Sequence, residues 1–235
     1  MAEKIIAFIP VRGGSKSISG KNIKLLAGKP LVHWVVEAAL ACNEINKVYI
    51  ATDCDKIRQS LNSFAGLSKF SIFNRGAETA TDDATTESAM LEFAHQYEFD
   101  QMVLIQATSP LLTTTDLEKG IARVTSGYDS LLSVVKQKRF VWSEAQDGQI
   151  VPQNYNLDDR PRRQDFSGYW VENGAFYITN RKALLGSHCR LSGRIGYLEM
   201  AEESYLELDE PSDWIAVEQL LQQKVSSHMD LATTA

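Results

Sequence analysis

Short, nearly continuous apolar runs alternate along the first half of the chain with stretches whose apolar residues recur at helical spacing. The runs are residues 5–10, 48–52, 70–73, 102–106 and 130–135. Each is too short for a buried helix and is bounded by polar residues, so each predicts a strand covered on both faces. Between them, residues 30–42, 55–64, 85–97 and a segment ending near 125 predict helices. Pro30 suits a first helical turn, and Thr115-Asp116 can cap the fourth helix. This alternation argues an α/β fold: a doubly wound, mainly parallel sheet with helices on both faces.

The rhythm breaks at Lys136. Residues 136–168 are polar and carry the cluster Arg160-Pro161-Arg162-Arg163, yet they also hold Phe140, Trp142, Tyr155 and Phe166. A connection of that length is unusual inside a compact domain, and its aromatic rings need a surface to cover them. The expectation is a protruding β-rich excursion that packs on a second subunit, with a self-packed loop as the alternative. Strands are expected again at 174–178, 196–200 and 205–211, then a closing amphipathic helix from 214 to 224. Residues 1–225 therefore read as one domain carrying the excursion at 136–168, and 226–235 as a frayed tail.

At 235 residues the chain is long enough to bury one α/β core. The net charge of −6 argues against a general nucleic-acid or anionic-membrane surface. Three cysteines, Cys42, Cys54 and Cys189, show no metal spacing and read as reduced thiols of a cytoplasmic protein. No stretch has the length of a membrane span. The first strand begins almost at once, which speaks against a leader peptide. The four histidines stand singly, with no paired ligand spacing.

Against that acidic background, residues 9–22 stand out. Arg12, Gly13, Gly14, Ser15, Lys16, Lys21 and Asn22 follow the first strand directly. Glycines let the backbone turn tightly and approach a ligand. Successive free N–H groups make an anion-binding concavity, and the cations would neutralise a polyphosphate. The P-loop pattern fails, because five residues separate Gly14 from Gly20 and Asn22 stands where Ser or Thr is required. The dinucleotide fingerprint fails because Gly13 and Gly14 are adjacent. The alternative is a surface turn with solvated lysines.

Three other places could carry chemistry. Glu207 and Asp209, at strand spacing, would share one face. A hard divalent ion, most plausibly magnesium, would join two such carboxylates to substrate phosphates; a solvent-facing acidic strand end is the bland reading. Gln106 follows the fourth strand at the edge where open α/β sheets bind ligands. Arg75 and the segment Thr81–Thr86 could line a pocket, although the latter also reads as a helix cap.

Taken in order, the first loop, Gln106-Ala107-Thr108-Ser109-Pro110, Arg160-Pro161-Arg162-Arg163-Gln164-Asp165, Glu172-Asn173-Gly174-Ala175-Phe176-Tyr177 and Leu206-Glu207-Leu208-Asp209-Glu210-Pro211 resemble the acylneuraminate cytidylyltransferases, or CMP-sialic acid synthetases, from about residue 4 to about 222. The resemblance implies a Rossmann-like nucleotidyltransferase fold and transfer of CMP from CTP to a nonulosonic acid such as N-acetylneuraminate or KDN. It implies CTP contacts at Arg12, Gly13, Gly14, Ser15, Lys16, Lys21, Asn22, Arg75 and Thr85, with Arg12, Lys21 and Asp209 central to the reaction. It implies sugar contacts at Gln106 and Tyr177. One or more of Arg160, Arg162 and Arg163 would grip the sugar carboxylate, reaching across a homodimer with shared sites. Magnesium, or manganese, would be held by Asp209, with Glu207 standing where the family has an aspartate. Rival readings are a P-loop-like NTP hydrolase or switch, which lacks its hydroxyl here, and a non-catalytic nucleotide sensor.

Overall fold

The computed structural model describes residues 3–14, 18–208 and 210–233; the side chains of Pro211 and of residues 225–233 lie outside that description. The chain begins with β1 (Ile5–Pro10), the two-residue pair β2 (Leu25–Leu26) and β3 (Lys29–Pro30), and α1 (Leu31–Ala41). It continues through β4 (Lys47–Thr52), α2 (Asp55–Ser60), β5 (Phe70–Asn74), α3 (Thr86–Gln96), β6 (Gln101–Ile105) and α4 (Thr114–Thr125). Then come β7 (Ser130–Gln137), the hairpin strands β8 (Trp142–Glu144) and β9 (Ile150–Pro152), and β10 (Tyr169–Asn180). The chain closes with α5 (Arg181–Ser187), β11 (Ile195–Glu199) and α6 (Pro211–Thr233).

Seven strands form one sheet in the order β5-β4-β1-β6-β10-β7-β11. Only β10 runs against its neighbours, pairing antiparallel with β6 and β7; the other pairs are parallel. The expected mainly parallel, mixed sheet is present. Its strands read as continuous apolar runs because both faces are covered. Alternate residues of β1 divide between the faces. Ile5, Ala7 and Ile9 pack under Val32, Val35, Val36 and Ala39 of α1 and Leu117, Ile121 and Val124 of α4. Ile6 and Phe8 pack on the other face under Ala89, Met90, Phe93 and Ala94 of α3. A third cluster joins Ile18, Leu26 and Leu31 to Leu208 and to Trp214, Val217 and Leu221 of α6. That cluster brings the end of the chain against the loop that follows β1.

Several boundaries differ from the sequence reading for identifiable reasons. The cap of α4 is Thr113, whose side chain accepts from the Asp116 N–H while Asp116 answers it in a capping box. Strand β10 is twelve residues long and starts at Tyr169, not at Gly174. Its register with β7 shifts between Glu172 and Tyr177. Gly174, at φ +65°, lies inside that irregularity and does not mark the strand's start. Among the described residues of 205–211 no strand forms. Glu202–Tyr205 is a turn of 3₁₀ helix, and 206–208 have no regular structure. Helix α6 continues to Thr233.

Between β7 and β10 the excursion carries the β8–β9 hairpin. Its rings pack on one another: Phe140 lies 4.5 Å from Tyr155 and 5.1 Å from Phe166, centroid to centroid.

Candidate functional site

The strand order places the switch point of the sheet at β1. The chain steps outward from β1 to β4 and β5, then returns to β6 on the other side. Loops leaving β1 and β6 at their C-terminal ends therefore diverge, and a crevice opens between them. A cavity of about 250 Å³ occupies it, lined by Pro10, Arg12, Arg75, Asp82, Ala84, Thr85, Thr86 and Gln106. A second cavity of about 190 Å³ adjoins it, lined by Arg12, Gly13, Lys21, Asn22 and Cys54 among others. Arg12 belongs to both and forms the wall they share.

The loop after β1 is held by its own polar contacts. The Gly13 N–H donates to Asp53 Oδ1 at 3.0 Å, and Asn22 Nδ2 donates to the Arg12 carbonyl at 3.3 Å. A Cβ on Gly13 would lie 2.8 Å from the Cys54 Cβ, so only glycine permits this approach. Gly20, at φ +63°, turns the chain into the 3₁₀ turn Lys21–Ile23. Lys21 is not a solvated surface lysine. It is 8% exposed, and its Nζ donates to the Leu208 carbonyl at 2.6 Å. The ammonium thus joins the loop after β1 to the acidic segment near the other end of the chain.

The cavity collects positive charge. Arg12 Nη1 pairs with Asp82 Oδ1 at 2.9 Å and donates to the Thr81 carbonyl at 3.2 Å. Arg75 donates to the Thr79 carbonyl, and its buried Nε has no hydrogen-bond partner among the described residues. Burial lowers the pKa of Arg75; Asp53 and Glu92 oppose the shift and Arg12 adds to it. Arg12 and Arg75 thus stand beside one cavity, an arrangement that an anion would complement. Thr85 caps α3, its Oγ1 accepting from the Ser88 N–H at 3.1 Å. Gln106 is anchored by its own N–H to the Ala175 carbonyl at 3.0 Å, and its side chain lines the cavity.

Other candidate residues fall elsewhere. Glu207 lies in irregular chain and Asp209 falls outside the described residues, so the expected same-face placement of the two carboxylates is not described. Glu207 instead approaches β10: its Oε1 is 3.3 Å from where a Cβ on Gly174 would stand. Ser15, Lys16 and Asp209 lie outside the described residues. None of Arg160, Arg162 and Arg163 is among the residues lining either cavity. Arg160 lies over the rings of Phe140 and Tyr155, at 4.7 and 5.5 Å. Arg162 Nε pairs with Asp165 Oδ2 at 2.6 Å, and Arg163 is exposed. Tyr177 is buried on β10 with its hydroxyl donating to Glu172. Asp82 falls in the segment Thr81–Thr86 that the sequence places at a pocket, and it lines the cavity. Sequence reasoning does not single out Asp53, Glu87 or Arg190. For Asp53 a signal exists, since it follows a strand at the ligand edge. The pairing of the other two is evident only in the fold.

The fold is that of an α/β protein with a cationic crevice at the switch point of its sheet, a place suited to an anionic ligand. The chain belongs to the cytidylyltransferase family, whose model matches residues 6–213. It is 38% identical over 220 residues to N-acylneuraminate cytidylyltransferase A of Danio rerio, covering 92% of this chain and 50% of that protein. It is 29% identical to N-acylneuraminate cytidylyltransferase of Streptococcus agalactiae serotype III, covering 91% of this chain and 52% of the relative. The chain thus spans about half the length of these curated relatives. It is 27% identical to CMP-N,N'-diacetyllegionaminic acid synthase of Legionella pneumophila, covering 93% of this chain and 97% of that enzyme. The solved structure of CMP:2-keto-3-deoxy-manno-octonic acid synthetase complexed with CTP superposes with a TM-score of 0.68. That match has 19% identity and covers 94% of this chain and 99% of the other; at that identity it bears on the fold alone. Among the described residues no helix is long and apolar enough to cross a membrane.

Proposed function

We propose that the chain transfers CMP from CTP to the anomeric hydroxyl of a nonulosonic acid. The anomeric oxygen forms the new bond to the α-phosphorus, the bond from that phosphorus to the bridging oxygen breaks, and pyrophosphate leaves. The hydroxyl proton passes to solvent. The observation that carries the reading is the pair of adjoining cavities at the switch point, walled by Arg12 and flanked by Arg75 and Lys21. Nucleotidyl transfer asks a protein mainly for positioning and for charge neutralisation. Arg12, Lys21 and Lys16 supply the neutralising charge, with the N–H groups of Gly14 and Ser15 at the phosphates and Gly13, tied to Asp53, holding the turn. Arg75 and Thr85 hold the cytidine side and Gln106 the sugar side, while the buried Tyr177, its hydroxyl on Glu172, lines neither cavity. The choice of CTP and of a nonulosonic acid rests on the names of the relatives.

Magnesium, or manganese, suits the oxygen donors of Glu207 and Asp209. Lys21, gripping the Leu208 carbonyl, fixes the backbone between those two carboxylates. When bound, such an ion neutralises phosphate charge as the leaving group departs. The protein would work in the cytoplasm as a homodimer, the excursion of each subunit bringing Arg160, Arg162 and Arg163 toward the sugar carboxylate of its partner. A guanidinium can grip a carboxylate in two-pronged fashion. Support comes from Ile150 and Leu157, which are 65% and 59% exposed in the single chain.

The test is pyrophosphate release from CTP and magnesium with N-acetylneuraminate, KDN or legionaminate, each in turn. Release that requires both CTP and one of the sugars is expected. Phosphate release without any sugar would point to an NTP hydrolase, and CTP binding without turnover to a sensor; either would overturn the proposal.

A further inference from the structure

Beside the larger cavity lies a polar chain that the proposed function does not use. Arg190, between α5 and β11, meets Glu87 in the first turn of α3 across 103 residues of sequence. The contact is two-pronged, with Nε–Oε1 at 2.5 Å and Nη2–Oε2 at 2.8 Å. Both side chains are largely buried, 19% and 23% exposed. The Arg190 guanidinium also lies 4.9 Å from the centroid of the Tyr177 ring, and the Tyr177 hydroxyl reaches Glu172. Burial and Glu172 push the phenol of Tyr177 well above its usual range, while Arg190 holds the carboxyl of Glu87 below its own. The phenol therefore stays protonated and Glu87 ionised.

Packing alone does not call for this pair. Ala89, Met90, Phe93 and Ala94 already fix α3 on the sheet, and a buried ion pair is often no more stabilising than apolar residues of the same volume. Its geometry does have a use. Glu87 directly follows Thr85 and Thr86, which line the cavity, and Arg190 touches the ring on the neighbouring strand. We infer that Glu87 and Arg190 are positioning residues that hold the cavity-lining turn of α3 in register with Tyr177 of β10. The inference rests on the proposed transfer reaction for its catalytic consequence, though not for its structural one.

The test uses Arg190→Gln, Glu87→Gln, their double variant and Arg190→Lys. Amide exchange at Ser88, whose N–H is held by Thr85, is read on the protein without substrate. It should quicken about tenfold or more in each single variant and no further in the double variant, because both changes break one contact. The KM for CTP should rise about tenfold with kcat within about twofold, the loss of one charge-assisted contact to the wall. Arg190→Lys should recover only part of this, since an ammonium cannot make the two-pronged contact. Unchanged Ser88 exchange, or additive effects in the double variant, would overturn the inference whether or not the wild type turns over. Absence of turnover in the wild type with normal Ser88 behaviour in all variants would overturn both readings. Faster Ser88 exchange without turnover would overturn only the transfer reaction.

Discussion

The parallel half of the sheet and the excursion between β7 and β10 use the same residue types to opposite ends. In the parallel half the rings are interior: Phe8, Phe73 and Phe93 pack beneath the sheet at centroid distances of 5.2 Å for Phe8–Phe93 and for Phe73–Phe93. The cations there face cavities, Arg12 and Arg75 one and Lys21 the other. In the excursion a guanidinium covers rings instead, Arg160 over Phe140 and Tyr155. Its apolar side chains stay in water, Trp142 at 41% and Ile150 at 65% exposure. One region closes a site from its own residues; the other makes only a small cluster and leaves surface that a second subunit could cover. The chain alone thus builds the proposed nucleotide side of the site more completely than the proposed sugar side.

The comparison breaks most sharply at Lys21. Lys21→Ala should lower kcat by orders of magnitude in the pyrophosphate assay. It should also destabilise the fold, because the alanine leaves the buried Leu208 carbonyl without its charged donor. A loss of about 1.5–3 kcal/mol in denaturant unfolding is expected, the range for a hydrogen bond to a charged group. Near-normal turnover would show that the loop is structural.

Mixing two inactive variants asks whether the excursion completes the partner's site. Lys21→Ala and a triple alanine change of Arg160, Arg162 and Arg163 are combined after subunit exchange. Half the dimers are then mixed and each holds one intact site, so about a quarter of all sites should recover activity. No recovery despite proven exchange, or a monomer by light scattering at assay concentration, would end the shared-site proposal.

Gly13→Ala should cost about 1–3 kcal/mol by overpacking against Cys54, with a higher KM for CTP as the loop shifts. Adding Cys54→Gly should relieve the KM effect, because the clash is with the Cys54 Cβ. An unchanged KM in Gly13→Ala would mean the loop accepts the shift.

Smaller effects separate buried from exposed ion pairs. The carboxyl of Glu87 is held low by Arg190, so its folded pKa lies below its unfolded one. Its contribution is present above the usual glutamate value and is lost as pH falls through the lower folded value. Glu87→Gln should therefore make stability less steeply dependent on pH on the acid side, read from urea midpoints. The Arg162–Asp165 pair, at 75% and 51% exposure, should contribute no more than about 1 kcal/mol, and Asp165→Ala should barely move the midpoint.

By itself the sequence determined the strands of the parallel half, the glycine-rich cationic loop after β1 that lines a cavity, and the place of Gln106 at the same edge. Those features are local: apolar runs covered on both faces, glycines beside cations, a strand end. Tertiary structure decided the rest. Leu206-Glu207-Leu208-Asp209 alternates as a strand should, yet Leu208 packs into the cluster beneath α6, and no strand pairs with the described residues 206–208. Alternation does not make a strand without a neighbour to accept its N–H groups. Gly174 reads as a strand's start, yet β6 and β7 hold the chain extended on both sides of it. The sequence offers Lys21 as a phosphate-facing or a solvated cation, yet its Nζ meets the Leu208 carbonyl across 187 residues, and Arg190 meets Glu87 across 103. Such contacts join positions far apart in the chain, so no local pattern can encode them; the sheet order brings them together, and burial then fixes their charge and their partners.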